Sequence, residues 1–228
     1  MIDKGKYFAF TVNSVEKKQA DINYINAWSD DAAQQMKIKI DAELLAAVPA
    51  EADGDNLGTT AGKISDNINL GAVGTAGENA VVLNKDNIID KLVECGQVLD
   101  EQNVPETGRW IVLPAWAITR IKTSEIKDAS LTGDGQSTLR NGRVGRIDRF
   151  EIFSSNQVST ATEGTVVCWN AIFGHKSAIT FASQLVENEM LKNPVDFGDI
   201  IRGLQVYGYK VIKPESMGRL YCRPAALA

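Results

Sequence analysis

Two hydrophobic periods follow one another along the chain, and together they predict a mixture of strands and helices. Residues 6–12 alternate, with Phe8, Phe10 and Val12 on one side of an extended segment and the intervening residues on the other. This two-residue period predicts a strand. Because an unpaired strand edge promotes aggregation, we expect the strand to pair with a segment from elsewhere in the chain.

A long amphipathic helix is predicted next, over residues 19–48, which contain neither proline nor glycine. Its apolar residues recur at three- and four-residue steps, so we expect that side to pack against a sheet. Pro49 ends the helix. A coiled coil is the alternative, but the spacing is not a sustained heptad. The apolar row consists of Ile22, Ile25, Trp28, Ala32, Met36, Ile40, Leu44 and Val48.

The middle of the chain predicts a loop, two helices and a strand. Residues 51–80 are rich in Gly, Asp, Asn and Thr and indicate a long surface loop or flexible hairpin. A short buried strand is predicted at Arg109–Leu113 (RWIVL), and Pro114 opens a helix that runs to residue 122. A second amphipathic helix is predicted between the loop and this strand, over residues 85–102. Its buried side consists of Ile88, Ile89, Leu92, Val93, Val98 and Leu99.

The C-terminal half is dominated by strand-like segments. A second glycine-rich loop at residues 130–145 precedes predicted strands at residues 147–154, 165–173 and 177–182. Residues 195–224 then hold three further apolar runs, at 200–201, 204–212 and 220–222, punctuated by glycines that usually mark a bulge or a close backbone approach. Because helices and strands alternate irregularly, we predict an α+β fold and not a doubly wound sheet.

Composition and charge exclude several classes of protein. The 228 residues are 44% hydrophobic and 23% charged, which is ordinary for a globular protein. A formal net charge of −5 argues against a dedicated nucleic-acid binder. Three widely spaced cysteines fit free buried thiols in a reducing compartment better than a disulfide framework. No apolar run approaches the roughly 20 residues that span a bilayer, and no signal peptide is evident.

Motifs for chemistry are weak. The segment from Gly58 to Lys63 (GTTAGK) is similar to a phosphate-binding loop, but it is one residue short and is followed by Ile64 instead of Ser or Thr. Asp53 and Asp55 lack the spacing of a calcium loop. Since His175 is the single histidine, triads and most zinc sites cannot be completed, although a Cys–His dyad stays open. We predict no catalytic residue, no metal site and no cofactor.

Arginines recur every third residue at Arg140, Arg143, Arg146 and Arg149. One interpretation is a stripe that faces phosphates. The other is a set of ion pairs with acidic groups on a neighbouring subunit, for which the planar guanidinium is well suited. The acidic net charge favours the second interpretation.

The order of the segments resembles the major capsid proteins of tailed bacteriophages. The likeness covers residues 2–223 and is carried by IDKGKYFAFTV, the long helix, GRWIVLPAWAITRI, RNGRVGRIDRFEIFSSN, GHKSAITFASQ and FGDIIRGLQVYGYKVIKPE. It implies a peripheral domain with a long spine helix and a β-ribbon, and an axial domain with a central sheet flanked by helices. Residues 1–49 would form the peripheral strand and helix, 50–182 the axial domain, 183–204 the peripheral ribbon and 205–228 a return to the axial domain. The ribbon would turn near Asn193 and Pro194.

The resemblance implies a structural subunit without catalysis. Copies would form five- and six-fold rings, close into a shell around packaged double-stranded DNA, and contact scaffolding and portal proteins. The chain would be part of the virion and would assemble in the host bacterial cytoplasm, without a membrane partner. The candidate subunit contacts are Arg140, Arg143, Arg146, Arg149, Asn193 and Pro194.

Two alternatives remain. One is the shell protein of a bacterial nanocompartment, which shares the fold. The other, of a different class, is a nucleotide- or nucleic-acid-binding protein that uses Gly58 to Lys63 or the stripe from Arg140 to Arg149. Isothermal titration with ATP and magnesium, and the salt dependence of DNA affinity, distinguish these from a coat subunit.

The sequence departs from the resembling family in two places. Family members normally carry an N-terminal arm and an extended loop ahead of the strand that begins here at Ile2, so we expect a shortened sequence that forms a monomer or small ring. Arg149 follows Asp148 where the family often has glycine. We also expect residues 51–80 and 130–145 to be mobile in the free chain and to serve subunit contacts.

Overall fold

The structure, a computed structural model, describes residues 2–13, 24–124, 145–194 and 197–225. The chain forms two compact units, Met1–Leu44 with Thr180–Lys210, and Leu45–Ile179 with Val211–Ala228. These divisions lie near the domain boundaries that the family resemblance implies. The assignment of the units as peripheral and axial domains stays a prediction.

In chain order the described elements are β1 (Lys4–Asn13), α1 (Tyr24–Ala47), β2 (Val81–Leu83), α2 (Ile88–Glu101), β3 (Arg109–Leu113), α3 (Ala115–Thr123), β4 (Arg146–Ile147), β5 (Phe150–Ser154), β6 (Thr160–Glu163), β7 (Val166–His175), β8 (Ile179–Lys192), β9 (Gly198–Val211) and β10 (Met217–Pro224). Short 3-10 turns stand at Val48–Glu51, Gly54–Asn56 and Pro214–Ser216.

The first unit is built on a three-stranded sheet in the order β1-β9-β8. Strand β1 pairs antiparallel with β9 along its whole length, from Lys4 opposite Tyr207 to Asn13 opposite Gly198. The predicted strand near the start of the chain is therefore confirmed, and its partner comes from the far end of the sequence. Burial alternates along β1 as the two-residue period predicts.

Helix α1 packs against one face of this sheet, as predicted. Met36 and Ile40 form a cluster with the buried ring of Tyr207, and Phe8 lies against it. The expected burial of Trp28 is wrong, because this residue is 40% exposed, although its ring meets the Phe10 ring edge to face at 5.8 Å. The start predicted at residue 19 lies outside the described residues, and the helix gives way to a 3-10 turn one residue before Pro49.

A polar cluster joins the end of α1 to the sheet. The carboxylate of Glu43 accepts hydrogen bonds from Lys4 Nζ at 2.6 Å and from the Tyr207 hydroxyl at 2.7 Å, and Lys6 Nζ lies 3.0 Å away. Lys4 also donates to the Tyr209 hydroxyl. The bonds from Lys4, then Tyr207 and Lys6, lower the pKa of Glu43 to about 2. Burial, with the Glu43 bond, raises the pKa of Tyr207 to about 12.

The second unit contains a seven-stranded sheet in the order β2-β10-β7-β3-β5-β4, with β6 paired to β7. Helices α2 and α3 contact each other, and their apolar sides join the core on one face of this sheet. That face presents Ile111, Phe150 and Phe173, and the last two rings meet edge to face at 6.2 Å. Parallel β2–β10 and β3–β5 pairs occur beside antiparallel ones. The α+β prediction is confirmed, since strands of both directions and helices share this unit.

Residues 51–80 are not the surface loop that the sequence predicts. Leu70 and Ala61 are fully buried, and two isolated bridges, Gly58 to Gly71 and Ala61 to Ile68, hold the segment together. The turn at residues 74–77 is tied to the sheet because its backbone N–H groups donate to the buried Glu163. Apolar side chains without a regular period gave no strand or helix signal, yet they reach the core.

Smaller differences have local causes. Val93 is 48% exposed, so the buried side of α2 is narrower than predicted. Pro114 is the N-cap of α3 and not its first helical residue. The predicted strand at residues 147–154 is interrupted by a turn, in which Asp148 has a φ of 50°. The third predicted strand is the long β8, which ends at Lys192.

Two glycines of the C-terminal strands confirm the expected close approaches. A Cβ on Gly203 would meet the Phe8 ring at 2.6 Å, and one on Gly218 would meet the Phe173 ring at 2.3 Å. Only a residue without a side chain lets these rings cross the neighbouring strand.

Replacement of Ile40 by Ala tests the packing of α1. Ile40 is 4% exposed, so truncation should lower the free energy of unfolding by about 2–5 kcal/mol. Ile38→Ala is the matched control, because Ile38 is 39% exposed on the same helix and its truncation should cost less than about 0.5 kcal/mol. Urea unfolding measures both values, and equal losses would contradict the assignment of the buried side.

The pKa of Glu43 predicts acid sensitivity of the first unit. Because the folded pKa is lowered from 4.5 to about 2, the contribution of Glu43 is complete above pH 4.5 and is lost as the pH falls towards 2. Glu43→Gln should flatten the decline of stability over that window. Asp41→Asn, at an exposed position of the same helix, should keep the wild-type profile. Chemical unfolding at a series of acidic pH values measures this, and identical slopes for wild type and Glu43→Gln would contradict it.

Candidate functional site

The segment from Gly58 to Lys63 does not offer a free phosphate cradle. The backbone N–H groups of Ile64 and Ser65, just after it, donate to the Glu101 carboxylate at 2.8 and 3.0 Å. Burial alone would raise the pKa of Glu101, but these bonds outweigh it and lower the pKa to about 2. An ionised side chain of the chain itself therefore occupies the donors that a phosphate would need, and the segment fastens the end of α2.

His175 has partners that give it a structural role. The N–H of Ser177 donates to Nδ1 at 3.2 Å, so Nε2 carries the proton and donates to the Thr107 carbonyl at 3.0 Å. Both ring nitrogens thus have partners other than a cysteine. All three cysteines are fully buried, and burial raises the pKa of the Cys95 and Cys222 thiols. Within the described residues no group of His, Cys, Asp and Glu could hold a metal ion.

The structure separates the members of the arginine series. Arg140 and Arg143 lie outside the described residues. Arg146 is exposed on β4, and Arg149 stands in the turn before β5. The Arg149 guanidinium pairs with Asp100 at 2.7 Å, Glu106 at 3.2 Å and Asp148 at 3.4 Å. These acidic partners lie within the chain, and a contact of Arg149 with a neighbouring subunit stays a prediction. The hydrogen bond to Asp100 is the largest of the effects that raise the pKa of Arg149.

Arg109 is a buried structural residue that lines a groove beside α3, and the sequence reasoning missed it. Arg109 is fully buried at the start of β3, a segment that the sequence predicts only as a short buried strand. Its guanidinium donates to the carbonyls of Gly96, Val104 and Pro105 and to Asp100 Oδ1 at 2.7 Å. Asp100 thus bridges a buried arginine and the arginine of the β4–β5 turn. A charged residue at the head of an apolar strand was the available signal.

A groove of about 900 Å³ lies between α3 and the β4–β5 hairpin. Its walls mix apolar and basic groups, with Ile118 and Lys122 from α3, Arg146 and Arg149 from the hairpin, and the 48% exposed Phe153 from β5. Lys122 and Arg146 make no ion pair with another described residue. Glu151, which lies opposite Arg146 in the β4–β5 pairing, also lines the groove, so a carboxylate stands among its basic groups.

The turn predicted near Asn193 and Pro194 is confirmed. Strand β8 ends at Lys192 and β9 begins at Gly198, and the Asn193 N–H donates to the Gly198 carbonyl at 3.0 Å. Lys192 pairs with Asp199 across the turn at 3.0 Å. Large apolar side chains are exposed around it, with Met190 at 54%, Leu191 at 41% and Phe197 at 85%. Exposed apolar groups of this size are typical of a contact surface.

The sequence decides the family. The phage capsid protein family matches residues 1–220 of the 228. The chain belongs to the phage capsid protein family. The interpretation as a structural subunit of a viral capsid shell is confirmed, and the nanocompartment alternative is not favoured. No curated protein matches the sequence. No described helix of the capsid protein has the length and apolarity needed to cross a membrane.

Solved structures share the fold of this capsid protein. A structure from Mycobacterium phage Che8 is 24% identical with a TM-score of 0.71, covering 96% of this chain and 71% of the other. The capsid of Cyanophage P-SCSP1u is 14% identical with a TM-score of 0.66, at 98% and 73% coverage. The capsid of Ralstonia phage GP4 is 11% identical with a TM-score of 0.64, at 99% and 74% coverage. The predicted tailed-phage capsid fold is therefore confirmed.

Replacement of Asp100 by Ala tests the arginine network. The change leaves a donor of the buried Arg109 without its carboxylate, so the free energy of unfolding should fall by about 1–3 kcal/mol. Glu106→Ala removes a partner of Arg149 that is 71% exposed and should cost less than about 0.5 kcal/mol. Thermal and denaturant unfolding measure both, and a neutral Asp100→Ala variant would contradict the bridging role.

Proposed function

We propose that copies of this chain form five- and six-membered rings that close into an icosahedral shell around packaged double-stranded DNA. The observation that carries the proposal is the family match, which extends over nearly the whole chain. Head-to-tail contacts generate rings when the rotation closes, and rings joined at other edges generate a shell. Each contact can be weak, because every subunit makes several at once.

The two compact units supply the domains that the proposal needs. The unit of residues 1–44 and 180–210, with its long helix and the β8–β9 ribbon, is the peripheral domain. The unit of residues 45–179 and 211–228, with its mixed sheet and two helices, is the axial domain. The division of strands between two sheets supports this assignment.

The groove between α3 and β4–β5 is the proposed contact surface of the axial domain. Arg146 stands there beside the exposed Phe153 ring, and both arginine and aromatic residues are enriched at protein interfaces. Lys122 adds a second positive charge. Arg140 and Arg143, which adjoin the groove in sequence, belong to the same proposed contact. Arg149 also lines the groove, and its ion pairs with Asp100 and Glu106 lie within the chain. In the peripheral domain, Asn193 and Pro194 and the apolar side chains around them form a second proposed contact.

The remaining partners follow from the same proposal. Scaffolding and portal proteins would meet the shell during assembly in the host bacterial cytoplasm, and DNA would be enclosed without sequence preference. The chain would act as a structural protein without catalysis. The Glu101 carboxylate supports this over nucleotide binding, because it holds the donors after Lys63. Titration calorimetry with ATP and magnesium should show no heat.

Charge reversal in the groove tests the proposed contact. The variants Lys122→Glu and Arg146→Glu should each self-associate at least about tenfold more weakly than the wild type. A tenfold change is equivalent to about 1.4 kcal/mol of association free energy. Lys85→Glu, at an exposed position before α2, should associate as the wild type does. High salt should weaken wild-type association by screening.

Sedimentation velocity over a range of protein concentrations, with negative-stain microscopy of the products, measures this association. Small rings of the wild-type chain would support the proposed function and agree with the monomer or small ring that the sequence predicts, whereas a monomer at every concentration would argue against ring formation by this chain. If the groove variants form rings as well as the wild type does, the proposed function stands and the groove is not the contact surface.

A further inference from the structure

The seven-stranded sheet has a second face, turned away from α2 and α3. Along β10, Leu220 and Cys222 belong to the helix-covered core. Because side chains alternate along a strand, Arg219, Tyr221 and Arg223 point to the other face. The register places Arg219 opposite Ile172 of β7. In the middle of the sheet, the second face carries Trp110, Val112, Glu151, Phe153, Ile172 and Arg219.

Arg219 is desolvated without a counter-charge. Its Nε is buried and has no hydrogen-bond partner, and no carboxylate of the described residues forms an ion pair with it. Its guanidinium lies 5.8 Å from the centre of the Tyr221 ring. Burial lowers the pKa of Arg219, which shows that the surroundings disfavour its charge. Arg223 shares one of these features, since its Nε is also buried without a hydrogen-bond partner.

In the same unit, Arg109 is an example of a buried arginine that stabilises the fold. Arg109 is fully buried, and its guanidinium meets three carbonyls and a carboxylate. Burial of a guanidinium without such partners is costly. Arg219 and Arg223 are half-buried and not fully enclosed, so an anion brought by another molecule would offset the cost of their partial burial. Four residues apart on one strand, they stand about 13 Å from each other.

We propose that Arg219 and Arg223 form a contact site for carboxylates of a second copy of this chain. The inference rests on the proposed function, because only an assembling subunit meets its own copies at high local concentration. A carboxylate binds the planar guanidinium through two parallel hydrogen bonds, which Lys cannot reproduce.

Charge favours a second copy over nucleic acid as the occupant. The chain has 29 acidic and 24 basic residues, so its surface repels phosphate and offers carboxylates. Residues 51–55 (EADGD) hold three acidic residues, more than any other five-residue window within the described ranges. Glu51 and Asp55 are exposed there, while Asp53 accepts the Asp55 N–H. Glu51 and Asp55 of the second copy are the complementary group.

Charge-swap variants test the site. Arg219→Gln should weaken self-association by about tenfold, and Arg219→Glu and Asp55→Lys should each weaken it further. The double variant Arg219→Glu/Asp55→Lys should recover part of the loss, because the pair is restored with reversed sign. Lys85→Gln is the control for loss of one positive charge. Thermal unfolding of dilute protein should show Arg219→Gln at least as stable as wild type, since a desolvated charge has been removed.

A second measurement does not require closed particles. In arginine-labelled protein, the Arg219 Nε–H resonance should move as protein concentration rises, and the buried Arg109 Nε–H resonance should not. A stationary Arg219 resonance would overturn the inference even if the wild type fails to associate, a failure that counts separately against the proposed function.

The other outcomes are equally decisive. Wild-type association that Arg219→Gln leaves unchanged would keep the proposed function and overturn this contact. Binding of a DNA duplex that Arg219→Gln abolishes would assign the site to phosphate and overturn the choice of a second copy. Rescue in the double variant would establish both partners of the pair.

Discussion

Both sheets of the molecule depend on strands from the C-terminal third of the chain. Strand β1 pairs with β9 from the far end of the sequence, and β2 pairs with β10 across a shorter but still long span. Strand β7 holds the centre of the larger sheet, with β10 on one side and β3 and β6 along the other. Such pairings order long intervening segments, so they cost loop-closure entropy before they stabilise anything. The helices then cover surfaces that exist only once the strands are paired.

Buried charge divides into two kinds in this subunit. The guanidinium of Arg109 is saturated by carbonyls and by Asp100, which extends the same network to Arg149 at the surface. Arg219 is desolvated without such partners. The complete hydrogen-bond network of Arg109 stabilises the fold. Arg219 lacks such partners, which suits it to contact with another molecule. The distinction separates residues that hold the coat subunit together from those that we propose hold copies to each other.

A phage capsid subunit needs many weak contacts, not one strong one. The groove beside α3, the apolar turn after β8 and the Arg219 site differ in chemistry, although the groove and the second face of the larger sheet share Phe153. Contacts of different chemistry respond differently to salt and temperature, since screening acts on charges and temperature on apolar burial. A coat built from several such surfaces can form reversibly and still be stable when closed.

Periodicity was sufficient for the elements whose apolar residues repeat regularly. Spacing and the positions of proline or glycine predicted strand β1, most of helices α1 and α2, and the strand Arg109–Leu113. The order of the segments led to the capsid family, and the resemblance to that family implied the turn after β8. Local sequence could not show that Leu70 and Ala61 are core residues, because their burial depends on distant β10 and not on a repeating pattern.

The charged residues show the same limit. Spacing alone grouped Arg149 with Arg146, but the fold brings Asp100 and Glu106 to Arg149 and leaves Arg146 exposed. Likewise, the donors that follow the Gly58 to Lys63 segment are occupied by Glu101, a residue of a distant helix. Sequence determined most of the strands and helices, because apolar spacing depends on neighbours along the chain, but the short strands β2 and β6 were not predicted. Tertiary structure alone decided which charges are satisfied, because an ion pair depends on neighbours in space.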